Sequence, residues 1–185
     1  MDDRNPTLDG IQKQLDELKQ TVSGGITENK LSMIVFSGDL DKTLASFIIA
    51  TGAVAMGMDV VMFFTFWGTP VLRDKKKKVH GKSLIGKMFA AMLPKGTTKV
   101  KLSKMHMAGM GTAMMKSLMR KKNVASLEQM LELAEELGVR IYICEMSMDL
   151  MGFKREEMID YENLTFCGVA KFLEEAKSSR VQLFI

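Results

Sequence analysis

The chain has 185 residues, 46% of them hydrophobic and 26% charged, enough for one well-buried domain and too few for two comfortable ones. Its 26 basic residues are offset by 22 acidic ones, leaving a formal charge of +4, which argues against nucleic acid as the main partner. Two cysteines and two histidines exclude a disulfide-built scaffold and a four-thiolate zinc or iron–sulfur centre within one chain, so no metal or cofactor is expected.

The opening residues MDDRNPTLDG contain no basic stretch followed by an apolar one, so the expectation is a protein without a signal peptide, cytoplasmic, with both thiols reduced. From there Leu8, Ile11, Leu15, Leu18 and Val22 follow one another in steps of 3, 4, 3 and 4. That heptad spacing predicts an amphipathic helix ended by Gly24 and Gly25, either packed on its own domain or self-associating. Residues 1–25 are accordingly read as a helical extension with a glycine linker, and residues 26–185 as the domain.

Residues 31–37 (LSMIVFS) form a short apolar run stopped by Gly38, the pattern of a buried parallel strand. Asp39 and Asp41 are suited to capping a helix over 44–56, and VVMFFTFW after Asp59 predicts a second strand ending near Trp67. The 24 residues 44–67 carry a single charge, Asp59. Because Gly57 and Asp59 divide that stretch into a helix-length and a strand-length piece, no stable membrane insertion is expected.

The lysine run 75–78 reads as a solvated loop. A helix over 83–92 before Pro94 follows, then a short strand near 98–102. Residues 105–119 (MHMAGMGTAMMKSLM) concentrate part of a methionine content of 18, and read either as a flexible apolar lid near the reactive site or as an ordinary buried helix. Ser126 with Gln129 three residues on marks a capped helix stopped by Gly138. A strand at 139–144 (VRIYIC), a turn or helix start at 147–152, helices at 154–159 and 168–177, and a terminal strand at 181–185 complete the chain. The alternation predicts an α/β three-layer sandwich, a mostly parallel sheet of about five strands with helices on both faces.

Ligands of such sheets gather beyond the carboxyl ends of the strands. Those ends carry Ser37, Gly38 and Asp39 after the first strand, Thr69 after the second, and Cys144, Glu145 and Ser147 after the strand at 139–144. SGDLDKT lacks the paired glycines of a phosphate loop and sets two aspartates where phosphate oxygens would lie. A G-x-S-x-G elbow is missing, and His80 and His106 fall in loops rather than at strand ends. Cys144 is the strong nucleophile, ending a strand before a helix entry whose N–H groups favour a thiolate, with Glu145 opposing that effect if it points the same way; the alternative is an inert buried cysteine that closes the strand. Cys167 also precedes a helix and either fills a structural role or, if its loop meets that of Cys144, resolves a sulfenate or shares sulfur with it.

The runs KLSMIVFSGDLDKTLASFIIATGAVAMGMDVVMFFTFWG, IYICEMSMDLMGF and CGVAKFLEE, with the terminal LFI, resemble the DsrE/DsrF-like proteins, in the longer branch labelled peroxiredoxin-like or predicted sulfurtransferase. The resemblance covers residues 31–185. It implies a DsrE/F-like sandwich, homo- or hetero-oligomers, and a cysteine persulfide that relays sulfane sulfur to a small sulfur-carrier or rhodanese-type partner protein. Cys144 alone falls on the family's thiol segment. Neither cysteine stands in a P-x-x-x-T/S-x-x-C peroxidatic pattern, so the peroxiredoxin label carries no weight. The expected function is therefore a sulfurtransferase or sulfur carrier using Cys144, with Ser37, Gly38, Asp39, Ser147 and Cys167 as supporting residues. A non-catalytic oligomeric adaptor and a thiol redox sensor are the alternatives.

Overall fold

The computed structural model describes residues 8–23, 27–77, 79 and 84–185. Its elements in chain order are α1 (Leu8–Ser23), β1 (Glu28–Val35), α2 (Leu40–Ala55), β2 (Asp59–Phe64), α3 (Leu84–Met92), α4 (Met110–Lys121), α5 (Leu127–Glu136), β3 (Arg140–Cys144), α6 (Glu145–Met151), β4 (Leu164–Cys167), α7 (Val169–Ser178) and β5 (Ser179–Phe184). The five strands form one sheet in the order β4-β3-β2-β1-β5, and every pair of neighbours is parallel.

Chain order dictates the layers. β1, β2, β3 and β4 are laid down in one direction across the sheet, and the last crossover returns from β4 past the others to β5 at the far edge. A right-handed crossover running the opposite way must pass over the opposite face, which is where α7 lies. The strands accordingly sort their side chains in alternation. Leu31, Met33, Val35, Val60, Met62, Phe64, Ile141 and Ile143 join Phe47 of α2 and Leu127, Met130 and Leu131 of α5 in the larger core. Val61, Phe63, Tyr142, Cys144 and Cys167 pack with Phe172 and Ala176 of α7 in a smaller one. A strand buried on both faces has little use for exposed polar side chains, which explains the apolar run of β2 (DVVMFF); in β1 the buried Lys30 and Ser32 break the run and are bonded to Glu175 and Ser179.

The sheet has the expected number of strands but a different membership. Residues 98–102 are not a strand: Thr97–Lys99 form a 3-10 turn, and beyond it the Lys101 carbonyl accepts the N–H of Leu40 at 2.7 Å, so this backbone is spent on the start of α2. The missing strand is β4, four residues long at the sheet edge. The helix expected at 154–159 shrinks to a 3-10 turn, Arg155–Glu157, because Glu157 is drawn inward to the Arg73 guanidinium at 3.1 Å, both side chains being buried. Residues 44–67, membrane-like by hydropathy, divide as expected into the end of α2 and the whole of β2. Among the described residues no helix is long and apolar enough to cross a membrane.

Capping at α2 also departs from the simple reading. Asp39 occupies the N-cap position, yet its carboxylate bonds no helix N–H and instead accepts from Ser37 Oγ at 2.8 Å and pairs with Lys42. The Asp41 carboxylate accepts from the Ser103 N–H and hydroxyl. By contrast α5 carries the full Ser126–Gln129 capping box. In the lysine run, Lys75 pairs with Glu128 and Lys77 with Asp160, while Lys78 lies outside the described residues, as do Gly24, Gly25, His80 and Ser83.

Candidate functional site

Cys144 is the last residue of β3 and stands at the N-cap position of α6. Cys167 is the last residue of β4, one residue before the N-cap Gly168 of α7. The parallel ladder places the two in register, Cys144 opposite Cys167. Both are reduced, and only 3% and 8% exposed respectively. Alternation along β3 and β4 sends both side chains to the α7 face, where Phe63 and Phe172 stack with ring centroids 5.1 Å apart. Burial pushes the Cys167 thiol above its ordinary range, and the neighbouring Cys144 and Glu145 add to that against an opposing pull from Lys171. The pair forms because two successive strand–cysteine–helix units fall side by side. That repeated pattern, C-E-M-S and C-G-V-A each opening a helix, was the signal available for locating β4.

The supporting residues separate into two groups. Ser147 is completely buried, shares a hydrogen bond of 2.8 Å with Thr65 Oγ1 and accepts the Phe66 N–H at 3.1 Å. It braces α6 against the end of β2 and so holds the turn that begins at Cys144. Ser37, Gly38 and Asp39 lie at the end of β1 and line a separate cavity of 430 Å³ with Trp67, Met92 and Lys101. With β2 between β1 and β3, this end of the sheet is two strand spacings, about 10 Å, from Cys144 and three from Cys167. Gly38 has a packing role: a Cβ there would collide with the Trp67 carbonyl, and one on Gly68 would collide with that of Val35. Thr69 is fully buried and its hydroxyl lacks a hydrogen-bond partner among the described residues.

The methionine-rich segment is neither a lid over the thiols nor a buried helix. It forms a 3-10 turn and then α4, with Met105, Met107, Met110, Met114 and Met115 between 40% and 69% exposed. Met115, Leu118 and Met119 border Leu44 and Ile48 of α2, on the sheet face opposite the one that carries Cys144 and Cys167. What covers the sulfur atoms is the aromatic packing under α7.

At the other end of the α7 face lies a polar network absent from the sequence reading. Glu175 accepts from Lys30 Nζ at 2.9 Å, Arg140 Nη1 at 3.0 Å and the Tyr142 hydroxyl at 2.8 Å. Burial alone would raise the Glu175 carboxyl, but the bonds from Lys30 and Tyr142 and the charge of Arg140 outweigh it and hold the group below its ordinary range. Glu145 turns outward to Arg155, whose guanidinium stacks 5.0 Å from the Phe166 ring. Among the described residues no group of three or more His, Cys, Asp or Glu side chains is placed to hold a metal ion. His106 sits in the turn before α4, its Nδ1 3.0 Å from Thr112 Oγ1.

A parallel five-stranded sheet with a reduced cysteine pair at the carboxyl ends of two adjacent strands defines a thiol-bearing α/β protein. The model of the DsrE/DsrF/DrsH-like family matches residues 27–184, and the chain belongs to that family. It is 43% identical over 156 residues to the uncharacterized protein YrkE of Bacillus subtilis (strain 168), covering 84% of this chain and 96% of that protein. It is 38% identical over 159 residues to the sulfur carrier protein DsrE2 of Allochromatium vinosum, covering 85% and 99%.

Proposed function

We propose that the protein is a sulfur carrier that holds sulfane sulfur as a persulfide on Cys144. The observation that carries the reading is the placement of this thiol at the carboxyl end of β3, at the entry to α6, in a chain similar over most of its length to a protein named as a sulfur carrier. In the loading step the Cys144 thiolate attacks the terminal sulfur of a polysulfide or donor persulfide. A bond forms between Sγ and that sulfur, the donor's S–S bond breaks, and the donor leaves as a thiolate. An acceptor thiolate then attacks the outer sulfur and restores the Cys144 thiolate. The first-turn N–H groups of α6, which have no partners within the helix, lie at the sulfur's end of the element.

Burial under α7 supports the carrier role by keeping water and stray thiols from a labile persulfide. Delivery to a partner thiol then requires the first turn of α7 or of α6 to yield. Small carrier or rhodanese-type proteins are the proposed partners, the cytoplasm the proposed location and a homo-oligomer the proposed state. Polysulfide treatment followed by intact-mass measurement is expected to add one sulfur atom to the wild type and none to Cys144→Ser. An unchanged gain in Cys144→Ser, or no gain in the wild type, would overturn the reading.

A further inference from the structure

We propose that Cys167 is a second sulfur station, receiving the outer sulfur of the Cys144 persulfide directly across the β3–β4 ladder. The proposal rests on the reading of Cys144 as a carrier and adds an acceptor within the same chain. Its basis is the register: the two thiols end adjacent parallel strands as direct partners, face the same way, and share one apolar cluster.

The spacing that this register imposes leaves room for a sulfur atom to pass between the two thiols. Strand neighbours lie about 4.8 Å apart, and side chains projecting in parallel keep their Cβ atoms near that value. In hand-over the moving atom sits in line between the two Sγ atoms, and two S–S bonds of about 2.05 Å end to end span about 4.1 Å. The same spacing lies within the range of about 4.4–6.8 Å between Cα atoms that a disulfide accepts, so disulfide closure is the competing reaction, and the mass of the loaded protein separates the two.

The step balances without an external oxidant or reductant. Cys167 Sγ, as the thiolate, attacks the outer sulfur of the Cys144 persulfide. The Cys167 Sγ–S bond forms, the Cys144 Sγ–S bond breaks, and the proton lost by Cys167 is matched by one gained at Cys144. The sulfane sulfur keeps its oxidation state. Lys171, in the first turn of α7 and within electrostatic reach of Cys167, supplies a positive charge on the receiving side. Because burial raises the Cys167 thiol above its ordinary range, transfer speeds up as pH rises toward that range.

The test is polysulfide loading, alkylation of the folded and then the unfolded protein, and tryptic mapping. Lys154 and Arg155 lie between the two cysteines, so each sits on its own peptide. Loaded wild type is expected to carry persulfide on both peptides at a total of one sulfur per chain, Cys167→Ser on the Cys144 peptide alone, and Cys144→Ser on neither. Cys144→Ala and Cys167→Ala, with circular dichroism matching wild type, guard against a folding defect of the serine variants. Wild type carrying sulfur on Cys144 only would overturn the relay and leave the carrier function standing. Equal loading of Cys167 in Cys144→Ser and wild type would overturn the relay and the central role of Cys144 together. A loaded wild type that releases sulfide and loses two hydrogens would replace the relay with disulfide closure.

Discussion

At the residue scale the two glycines at the strand ends carry more of the architecture than their neighbours in the candidate site. Gly38 and Gly68 let the turns after β1 and β2 lean on each other's backbone, with a carbonyl oxygen where each Cβ would be. A backbone atom cannot rotate aside, so Gly68→Ala is expected to cost about 1–3 kcal/mol, as overpacking does elsewhere, and to lower the urea midpoint without changing the slope. FFTFWG was legible as a strand end with a distinctive glycine. Its reason was hidden, because the Val35 carbonyl that Gly68 meets lies on another strand. The same limit governed Cys167. Sequence showed a cysteine before a helix, whereas register with Cys144 depends on how two strands pair.

At the scale of elements, α7 is fixed at its carboxyl half by ion pairs and at its amino half by aromatic stacking. Glu175 draws Lys30, Arg140 and Tyr142 from two strands onto one carboxylate. Its removal in Glu175→Gln leaves the almost fully buried Lys30 with Glu28 as its remaining ion-pair partner, and is expected to cost about 3 kcal/mol. The pH dependence has a definite sign. A carboxyl held below its unfolded value of 4.5 contributes stability above that pH and loses it as pH falls through the folded value. Urea midpoints of the wild type should therefore drop more steeply than those of Glu175→Gln as pH falls below about 5. None of this network was visible in advance, since the face on which Lys30 and Arg140 stand depends on how the strands pair and on where α7 packs. Alternation in β1 and β3 turns them to the side that α7 covers. The edge strand β4 was missed for a different reason: four residues with a threonine among them give too short a period to register.

Across the whole molecule, the alternation of apolar runs with capped helices was enough to reveal the α/β class, four of the five strands and helices on both faces. Strand order was not, because apolar runs of similar length do not say which neighbour each will choose. Helix α1 turns heptad residues outward, with Ile11 45% and Leu15 48% exposed. The family match begins at residue 27, beyond α1. Deleting residues 1–26 should leave the thermal midpoint within about 4 °C of the full chain, a shift corresponding to less than about 1 kcal/mol. If α1 self-associates, sedimentation of the deletion variant will show a smaller species, and if it packs on its own domain the midpoint will fall further.

The return of the last crossover over the far face has a consequence for how the protein opens. β5 pairs with β1 across most of the sequence, and α7 packs over the face that carries Cys144 and Cys167. Contacts of such large sequence separation are the slow ones to form. A fluctuation that lifts α7 and β5 together leaves the ladder from β1 to β4 paired while baring both thiols, so amide exchange in α7 and alkylation of the two cysteines are expected to follow one shared opening rate.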